Sequence, residues 1–493
     1  MVITCKNTQL FDTPPHCFRF FCVPSQPKFT ETDIYYIMKK ALLLAGAAIC
    51  FFLSMQAQDY TTPGTGTVYS FEALSSIPGS GVTLTDGIYV VNGKVTIAEN
   101  DAFVIDSGAE IRFGDEAELV VNGKADLRAE SPTLLGGLSG TTSCYGMNMQ
   151  SGEVTEVSNL TFEEVGLRGG SSAGMHVNNC KFLHHNGTTS AALFLGGDGA
   201  SFEIIGCEFE NCQKAAIGGA ANYLCPVTIQ DCVFRKNSQA NGNIPQLNLT
   251  GAEAITIKNC VVEGDSTLNM VGGIAVANWF GTAGINVSIE DCEISDNRYG
   301  ITTMGVMDVV IKNNQIVNNK FESNPNNGGS GISLYDPYYK QNAVITGNRI
   351  ERSLWGITVI GCSEVNLGKT TVDADASDYN PGGNVFIDNG NNGTLYDIYN
   401  NSSNTVYAQG NFWNVASQDS VSIETVVYHK NDNPTLGEVI YMPAGDVQGV
   451  RDVPRVGNGR AKMYDLQGMP VDEKMAAPQQ KQIIISNGRK EVR

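Results

Sequence analysis

The stretch Ile289-Glu290-Asp291-Cys292-Glu293-Ile294 returns 22 residues later as Ile311-Lys312-Asn313-Asn314-Gln315-Ile316, and this repetition decides the fold. In each copy an apolar residue, a central Cys or Asn and a second apolar residue alternate with polar residues, which predicts one short β-strand. The central residues of all the copies are Leu160, Cys180, Cys207, Cys232, Cys260, Cys292, Asn314 and Asn348. Their spacing, from 20 to 34 residues, is too irregular for helical repeats and suits coils with loops of different length. The sequence therefore predicts a solenoid.

A second short segment follows most copies and begins with a small residue and Ile. These pairs are Ala216-Ile217, Gly273-Ile274, Gly300-Ile301, Gly331-Ile332 and Gly356-Ile357. Each coil is therefore expected to hold at least two strands. Because stacked coils lie about 4.8 Å apart, equivalent residues form ladders inside the solenoid. An Asn ladder satisfies its own amide groups, and a Cys ladder is small and apolar.

The repeat resembles the right-handed parallel β-helix of the pectate-lyase-like superfamily across roughly residues 80 to 440. Pro381 to Phe386 and Ala408 to Trp413 look like the last coils of such proteins. The resemblance implies an all-β chain, a right-handed parallel β-helix with a small C-terminal β module. It says little about activity, because many unrelated chemistries occur on this scaffold.

The activity motifs of this superfamily are incomplete here. Polygalacturonase-like hydrolases use an Asp-Asp pair with Gly-His-Gly and Arg-Ile-Lys motifs, whereas the nearest string in this chain is Asn348-Arg349-Ile350-Glu351, and neither Asp-Asp nor Gly-His-Gly occurs. The calcium-dependent lyases need carboxylates beside a Lys or Arg base, and the repeats hold few clustered basic residues. Enzymatic activity stays open, and a binding protein is favoured.

Changes of composition divide the chain. Residues 1–37 show no organised periodicity and read as a non-native upstream extension, whereas the two Lys and the apolar run that follow Met38 predict a signal peptide over 38–57. Residues 58–129 are predicted to form an N-terminal cap and the first coils. Residues 130–440 are predicted to form the β-helix, beginning with an irregular loop over 130–155.

The C-terminal segment 445–493 differs in character from the repeats. Ala461 to Gly468, with a Tyr-Asp-Leu-x-Gly turn, and the apolar strand Gln482 to Ser486, followed by Asn-Gly and basic residues, resemble the sorting domain of the type IX secretion system. The resemblance implies export by that secretion machinery to the extracellular space or outer-membrane surface of a Gram-negative bacterium. The alternative is a small β module that caps the solenoid.

The balance of charge excludes some partners. The chain has 32 basic and 51 acidic residues, a formal net charge of −19, so no nucleic-acid partner is expected. The same charge would repel an acidic polysaccharide unless calcium or a local cationic strip intervened.

Five of the cysteines share the central ladder position, where parallel Cβ atoms about 4.8 Å apart lie beyond the usual disulfide limit. Buried thiols are therefore predicted.

Uneven coil lengths point to one candidate site. The loop that contains Asp308 is short and is flanked by two longer aromatic loops, which stacking would place about 10 Å apart. The resulting notch would be about one sugar ring wide, and Asp308 and Asp336 are candidates for catalytic acid and base. Alternatively, the aromatic residues simply cover the loops of the solenoid. The candidate glycan-binding residues are Trp279, Phe280, Tyr335, Tyr338, Tyr339 and Lys340.

A candidate metal site follows the repeats. Asp373, Asp375 and Asp378 have the spacing of oxygen donors in a calcium loop, although the bidentate Glu of such loops is missing. Calcium is the one cofactor that the sequence suggests, and an exposed acidic turn is the alternative.

These observations predict a secreted or surface-attached monomer that recognises glycan or another surface partner through the lateral face of its solenoid. Two alternatives stay open. One is a polysaccharide-degrading hydrolase or lyase, and the other is a purely structural or adhesive solenoid.

Overall fold

A computed structural model describes residues 59–445, apart from 141–142, 171–172, 220–224, 251, 279–283, 323, 325–326 and 339, together with four short strands between 463 and 492. The upstream extension and signal peptide predicted over 1–57 lie outside the described residues. The described chain is almost entirely β-structure and winds through three stacked sheets, here called sheets A, B and C. The prediction of an all-β solenoid is confirmed.

Sheet A has 14 strands, and every neighbouring pair in it is parallel, as stacked coils require. Its strands are Tyr60–Thr61, Lys94–Ile97, Glu118–Val121, Gly146–Met149, Leu167–Gly169, Ala191–Leu195, Ala215–Gly219, Leu247–Thr250, Ile274–Asn278, Ile301–Gly305, Ser330–Asp336, Trp355–Gly361, Ile398–Asn401 and Val427–Tyr428.

Sheets B and C complete each coil, and two long strands, Lys124–Gly137 and Thr155–Glu163, pair in both. Sheet B also contains Val68–Tyr69, Ala102–Val104, Gly174–Asn178, Ser201–Ile205, Cys225–Gln230, Ala252–Lys258, Ile285–Glu290, Met307–Lys312, Asn342–Thr346, Glu364–Gly368, Val406–Ala408 and Val439–Ile440. Sheet C also contains Val82–Thr85, Ile88–Val91, Glu110–Phe113, Lys181–Leu183, Glu208–Glu210, Val233–Arg235, Val261–Glu263, Glu293–Ser295, Gln315–Val317, Arg349–Glu351 and Val385–Ile387, and its first two strands form an antiparallel hairpin.

Left-handed residues set the corners on both sides of sheet C. The strand Glu293–Ser295 lies between Asp291 at φ 56° and Asp296 at φ 58°. One coil later, Asn313 and Asn318 take the same places at φ 57° and 60°. Asn and Asp are the residues other than Gly that visit this conformation most readily. The polar residue before the central Cys or Asn of the repeat is therefore a corner residue, and two corners five residues apart hold these coils in the same register.

The central residues of the repeat form the predicted interior ladder. Asn314 donates from its backbone N and its Nδ2 to Oδ1 of Asn348, at 2.9 Å each, and Asn348 donates in the same way to Asn384 at 3.1 and 3.0 Å. Cysteines continue the ladder, and Cys292 donates its backbone N to Asn314 Oδ1 at 2.9 Å. The five ladder cysteines, Cys180, Cys207, Cys232, Cys260 and Cys292, are buried and free, which confirms the prediction of buried thiols.

Aromatic rings fill the interior beside the thiols. Phe162, Phe182, Phe209 and Phe234 occupy equivalent positions on successive coils and are fully buried. Their ring centroids are 4.8, 4.6 and 5.0 Å apart, and the planes of neighbouring rings differ by at most 16°. One ring therefore stacks on the next at the spacing of the strands themselves.

Short helices lie near both ends of the stack. The helix Phe71–Ser75 buries Phe71 and Leu74, and the Phe71 ring meets Phe103 of the first coils edge-on at 5.2 Å. The helix Ser420–Glu424 follows the last long coil. No helix in the described ranges is long and apolar enough to cross a membrane.

The C-terminal segment contains a small antiparallel sheet. The order of its strands is Pro470–Val471, Met463–Tyr464, Ile483–Ser486 and Arg489–Val492. The other residues of the segment beyond 445 lie outside the described residues. The resemblance to a sorting domain stays a prediction.

The prediction of an irregular loop over residues 130–155 is wrong for its first part, residues 130–137. Residues 124–137 form one strand, in which Leu135 is fully buried and stands in register with Ile111 and Phe162. Thr133 takes the place that Leu160 holds in the next coil, so this copy of the repeat has no central Cys or Asn to reveal it.

Replacing Asn348 with Ala should destabilise the solenoid strongly. The side chain is fully buried, and its loss leaves the backbone N–H of Asn314 and the carbonyls of Ile311 and Thr346 without that partner. Because each orphaned buried group costs about 1–3 kcal/mol, the free energy of unfolding should fall by about 3 kcal/mol or more, measured by urea denaturation. The control is Asn342→Ala, which removes one surface bond to Asp308 and should cost less than about 1 kcal/mol. Equal losses would contradict the special role of the ladder.

Candidate functional site

The residues predicted to form the notch are placed unevenly. Three of them lie outside the described part of the chain: Trp279, Phe280 and Tyr339. Tyr338 is 75% exposed and Lys340 is exposed, whereas Tyr335 is half-buried on sheet A, in register with Met304. The glycan-binding role of these six residues stays a prediction.

Asp336 closes the turn that follows its sheet A strand. The residue is fully buried, and its carboxylate accepts hydrogen bonds from the backbone N–H groups of Tyr338 at 3.0 Å, Gln341 at 2.7 Å and Lys340. Three local donors therefore enclose the carboxylate. This geometry gives Asp336 a structural role and does not present it to a substrate as an acid or a base.

Asp308 lies elsewhere, on the outer face of sheet B. Its Oδ1 accepts a hydrogen bond from Asn342 Nδ2 at 2.8 Å, and it lines a shallow depression of about 270 Å³ with Val310 and Val344. None of the other residues that line this depression is a carboxylate. The structure therefore does not bring Asp308 and Asp336 together in one open cleft, and catalysis by this pair stays a prediction.

The three aspartates of the suggested calcium loop are exposed. Asp378 pairs with Lys369, and this contact lowers the pKa of Asp378. Among the residues that the structure describes, no group of three or more His, Cys, Asp or Glu side chains could hold a metal ion. The calcium-binding role of Asp373, Asp375 and Asp378 stays a prediction.

A larger groove, here called the sheet A groove, runs along the outer face of sheet A. Its volume is about 840 Å³, within the range of ligand sites. Its floor is a column of residues at one register position on successive strands, about 4.8 Å apart. That column is Asn248, Ala275, Thr302, Ser333, Thr358 and Tyr399. Every coil but one therefore offers a neutral hydrogen-bonding side chain to a ligand.

The signal for this groove was present in the sequence and was missed. Thr302, Ser333 and Thr358 each follow the Ile of a Gly-Ile pair, which the repeat assigns to the interior. Because side chains alternate along a strand, the residue after such an Ile faces outward. Polar residues at that one place in consecutive coils predict a polar column on the surface.

Arg298 lies at the edge of the groove where the strands begin. It is only 8% exposed, and it donates from Nη1 to Asn243 Oδ1 and from Nη2 to the backbone oxygen of Asn327. Arg298 is the one charged side chain among the described residues that line the groove. The groove thus combines a neutral floor with a single cation.

Four aromatic side chains form a cluster at the C-terminal end of the column. Trp355 stacks on Tyr396 with centroids 5.1 Å apart, and Tyr399 stacks on Tyr428 at 4.6 Å. Trp355 and Tyr399 also meet at 5.4 Å, and both line the groove. The cluster therefore forms part of a ligand-sized surface.

Comparisons with known proteins support the fold. Residues 145–321 match the family model described as the right handed beta helix region. The described chain is therefore a right-handed parallel β-helix. No curated protein sequence matches it.

Solved structures with a related shape are distant. The periplasmic alginate epimerase AlgG is 13% identical, with 76% of this chain and 83% of that chain covered and a TM-score of 0.35. A double mutant of that enzyme is 15% identical, with 77% and 83% covered and a TM-score of 0.38. These values carry no inference about activity.

Asp397 is a fully buried carboxylate close to the sheet A groove. Burial raises its pKa to about 7, and its oxygens accept from Asn414 N at 2.9 Å and Asn389 Nδ2 at 3.2 Å. The residue is fully buried just before the strand Ile398–Asn401. Its perturbed pKa therefore reflects its place in the fold.

The variant Asp397→Asn should change the pH dependence of stability. Because the folded-state pKa is raised from 3.8 to about 7, the contribution of Asp397 to stability is fully present below about pH 4 and is lost as the pH rises through 7. Asn does not ionise, so the melting temperature of the variant minus that of the wild type should increase between pH 5 and pH 8. Thermal unfolding at both pH values, with the exposed Asp308→Asn as control, measures this difference. An unchanged difference would contradict the raised pKa.

Proposed function

We propose that this protein binds a glycan along the sheet A groove. The observation that carries the proposal is the column of neutral hydrogen-bonding side chains that includes Thr302, Ser333 and Thr358 and ends at an aromatic cluster. Sugars offer hydroxyl groups and apolar ring faces, and the groove has partners for both. A donor or acceptor that recurs at five of six successive coils suits a chain of repeating units better than one small molecule.

Binding fits the groove better than cleavage does. Glycoside hydrolysis uses two carboxyl groups that flank the scissile bond. The described lining of the groove contains no Asp or Glu, and the exposed carboxylate of Asp308 lies on a different face. The binding experiment must therefore also detect the products that a hydrolase or lyase would release.

We further propose that the protein acts outside the cell or on its outer-membrane surface. The signal peptide pattern over 38–57 and the sorting-like tail support this, and the secretion machinery would be its partner during export. Fractionation of cells that express the chain with and without its last 49 residues tests the role of the tail. Release of both forms to the medium would contradict it.

The binding proposal predicts different effects at two surfaces. Ser333 is half-buried on the floor of the groove, so Ser333→Trp should fill the groove, leave the interior ladder intact and weaken glycan binding at least tenfold. Tyr338→Ala, at the exposed loop of the originally predicted notch, is the matched control and should bind as the wild type does. A panel of neutral and acidic oligosaccharides, assayed for both binding and new reducing or unsaturated ends, gives the readout. Loss of binding only in Tyr338→Ala would move the site to the notch, and products would make the protein an enzyme.

A further inference from the structure

The buried guanidinium of Arg298 has no anionic partner among the described residues. Its hydrogen-bond acceptors, Asn243 Oδ1 and the oxygen of Asn327, are both neutral, and its Nε is buried without an acceptor. Five other arginines of the described chain lie within 4.0 Å of a carboxylate: Arg112, Arg128, Arg235, Arg349 and Arg352. Arg168, whose guanidinium lies over the Phe194 ring, is exposed to water, whereas Arg298 is buried. A buried charge is costly unless it is paired, and Arg cannot shed its proton.

The surroundings of Arg298 hold the charge in place. Its guanidinium lies 5.8 Å from the centroid of the Tyr299 ring, within the range of a cation–π contact. A Cβ atom at Gly328, where φ is +154°, would lie 2.8 Å from Nε, and a Cβ at Gly272 would clash with the ring of Tyr299. Both glycines therefore leave room for the stacked pair. The cation is fixed in one place before a ligand arrives, which reduces the entropy lost on binding.

We propose that the glycan bound in the sheet A groove carries an acidic group, a carboxylate or a sulfate, and that Arg298 binds this group. The inference rests on the proposed glycan-binding function. A guanidinium has five N–H donors in a planar fork, and neutral acceptors occupy only two of them here. The Nη–H donors that these acceptors leave unused can form charge-assisted hydrogen bonds to an anion in the groove, which are stronger than bonds to neutral acceptors.

The charge of the protein limits the ligand to a low density of acidic groups. The chain has a formal net charge of −19, and the described lining of the groove offers one cation. A polymer with an acidic group on every sugar would leave most of its charges unpaired against a negative protein. A mainly neutral chain with one acidic sugar among several fits the neutral column of Thr302, Ser333 and Thr358 and the single Arg298.

Matched pairs of oligosaccharides test this inference on the whole protein. Lactose is compared with sialyllactose and with sulfated lactose, and xylotetraose with xylotetraose that bears one glucuronic acid, while polygalacturonate represents the fully acidic chain. Binding is measured by calorimetry at low and high salt, for the wild type, Arg298→Gln and Arg298→Lys, with thermal unfolding to confirm that each variant folds. In at least one pair the acidic member should bind about 10- to 100-fold more tightly than its neutral partner. That preference should shrink with salt, be lost in Arg298→Gln and be only partly kept in Arg298→Lys.

The outcomes separate the two proposals. Neutral and acidic members that bind the wild type equally would overturn the role of Arg298 and leave glycan binding standing. A preference that survives in a folded Arg298→Gln variant would also overturn it. Tightest binding of polygalacturonate would overturn the low charge density, and no binding of any probe would contradict the proposed function itself. The comparison on the wild type needs no variant, so it decides the question even if Arg298→Gln does not fold.

Discussion

Parallel stacking of coils in one register is the constraint on which the rest of this structure depends. Each strand takes its hydrogen bonds from the coils above and below, so a slip of one residue would turn every side chain of that coil to the opposite face. Two left-handed corners five residues apart, such as Asp291 and Asp296, prevent the slip. Like residues can then stack on like inside, as in the ring ladder from Phe162 to Phe234 and the amide ladder through Asn348. The left-handed backbone corners thus determine the packing of the interior more than the shapes of the side chains do.

The constraint explains why the fold was readable in the sequence and the site was not. A ladder residue must suit its neighbours in two coils, so Cys and Asn recur at the central position and reveal the coils. Where a coil departs from that rule, as at Thr133, the pattern is lost although Leu135 is buried as in any other coil. Residues on the outer face have no such obligation, and Thr302, Ser333 and Thr358 differ enough to hide that they form one column. Asp336 was misleading in the sequence for a different reason. Only the folded loop shows that its own backbone N–H groups surround the Asp336 carboxylate.

Stacking gives the outside of the molecule the same period as the inside. A ligand that lies along the solenoid axis therefore meets an equivalent position at each coil, about 4.8 Å after the last. Specificity must then come from the coils that differ. In the sheet A groove two features break the period, the aromatic cluster around Trp355 at one end and Arg298 at the strand-start edge. These are the features that can determine which ligand binds and in which direction it lies.

Two ionisable side chains, Asp397 and Arg298, are buried near this face, and only Arg298 indicates that a ligand binds here. Asp397 is enclosed by neutral amide donors, and its raised pKa lets it take up a proton, so the fold can accommodate it without a counter-ion. Arg298 has no such recourse, since a guanidinium keeps its charge at any pH that a protein tolerates. Asn243 and Asn327 accept hydrogen bonds from Arg298, but both acceptors are neutral and do not balance its charge. Removing Arg298 would be the simpler solution for a purely structural loop. Its presence beside an open groove, stacked on Tyr299 and accommodated by Gly328, is therefore better explained by an anion that arrives with the ligand.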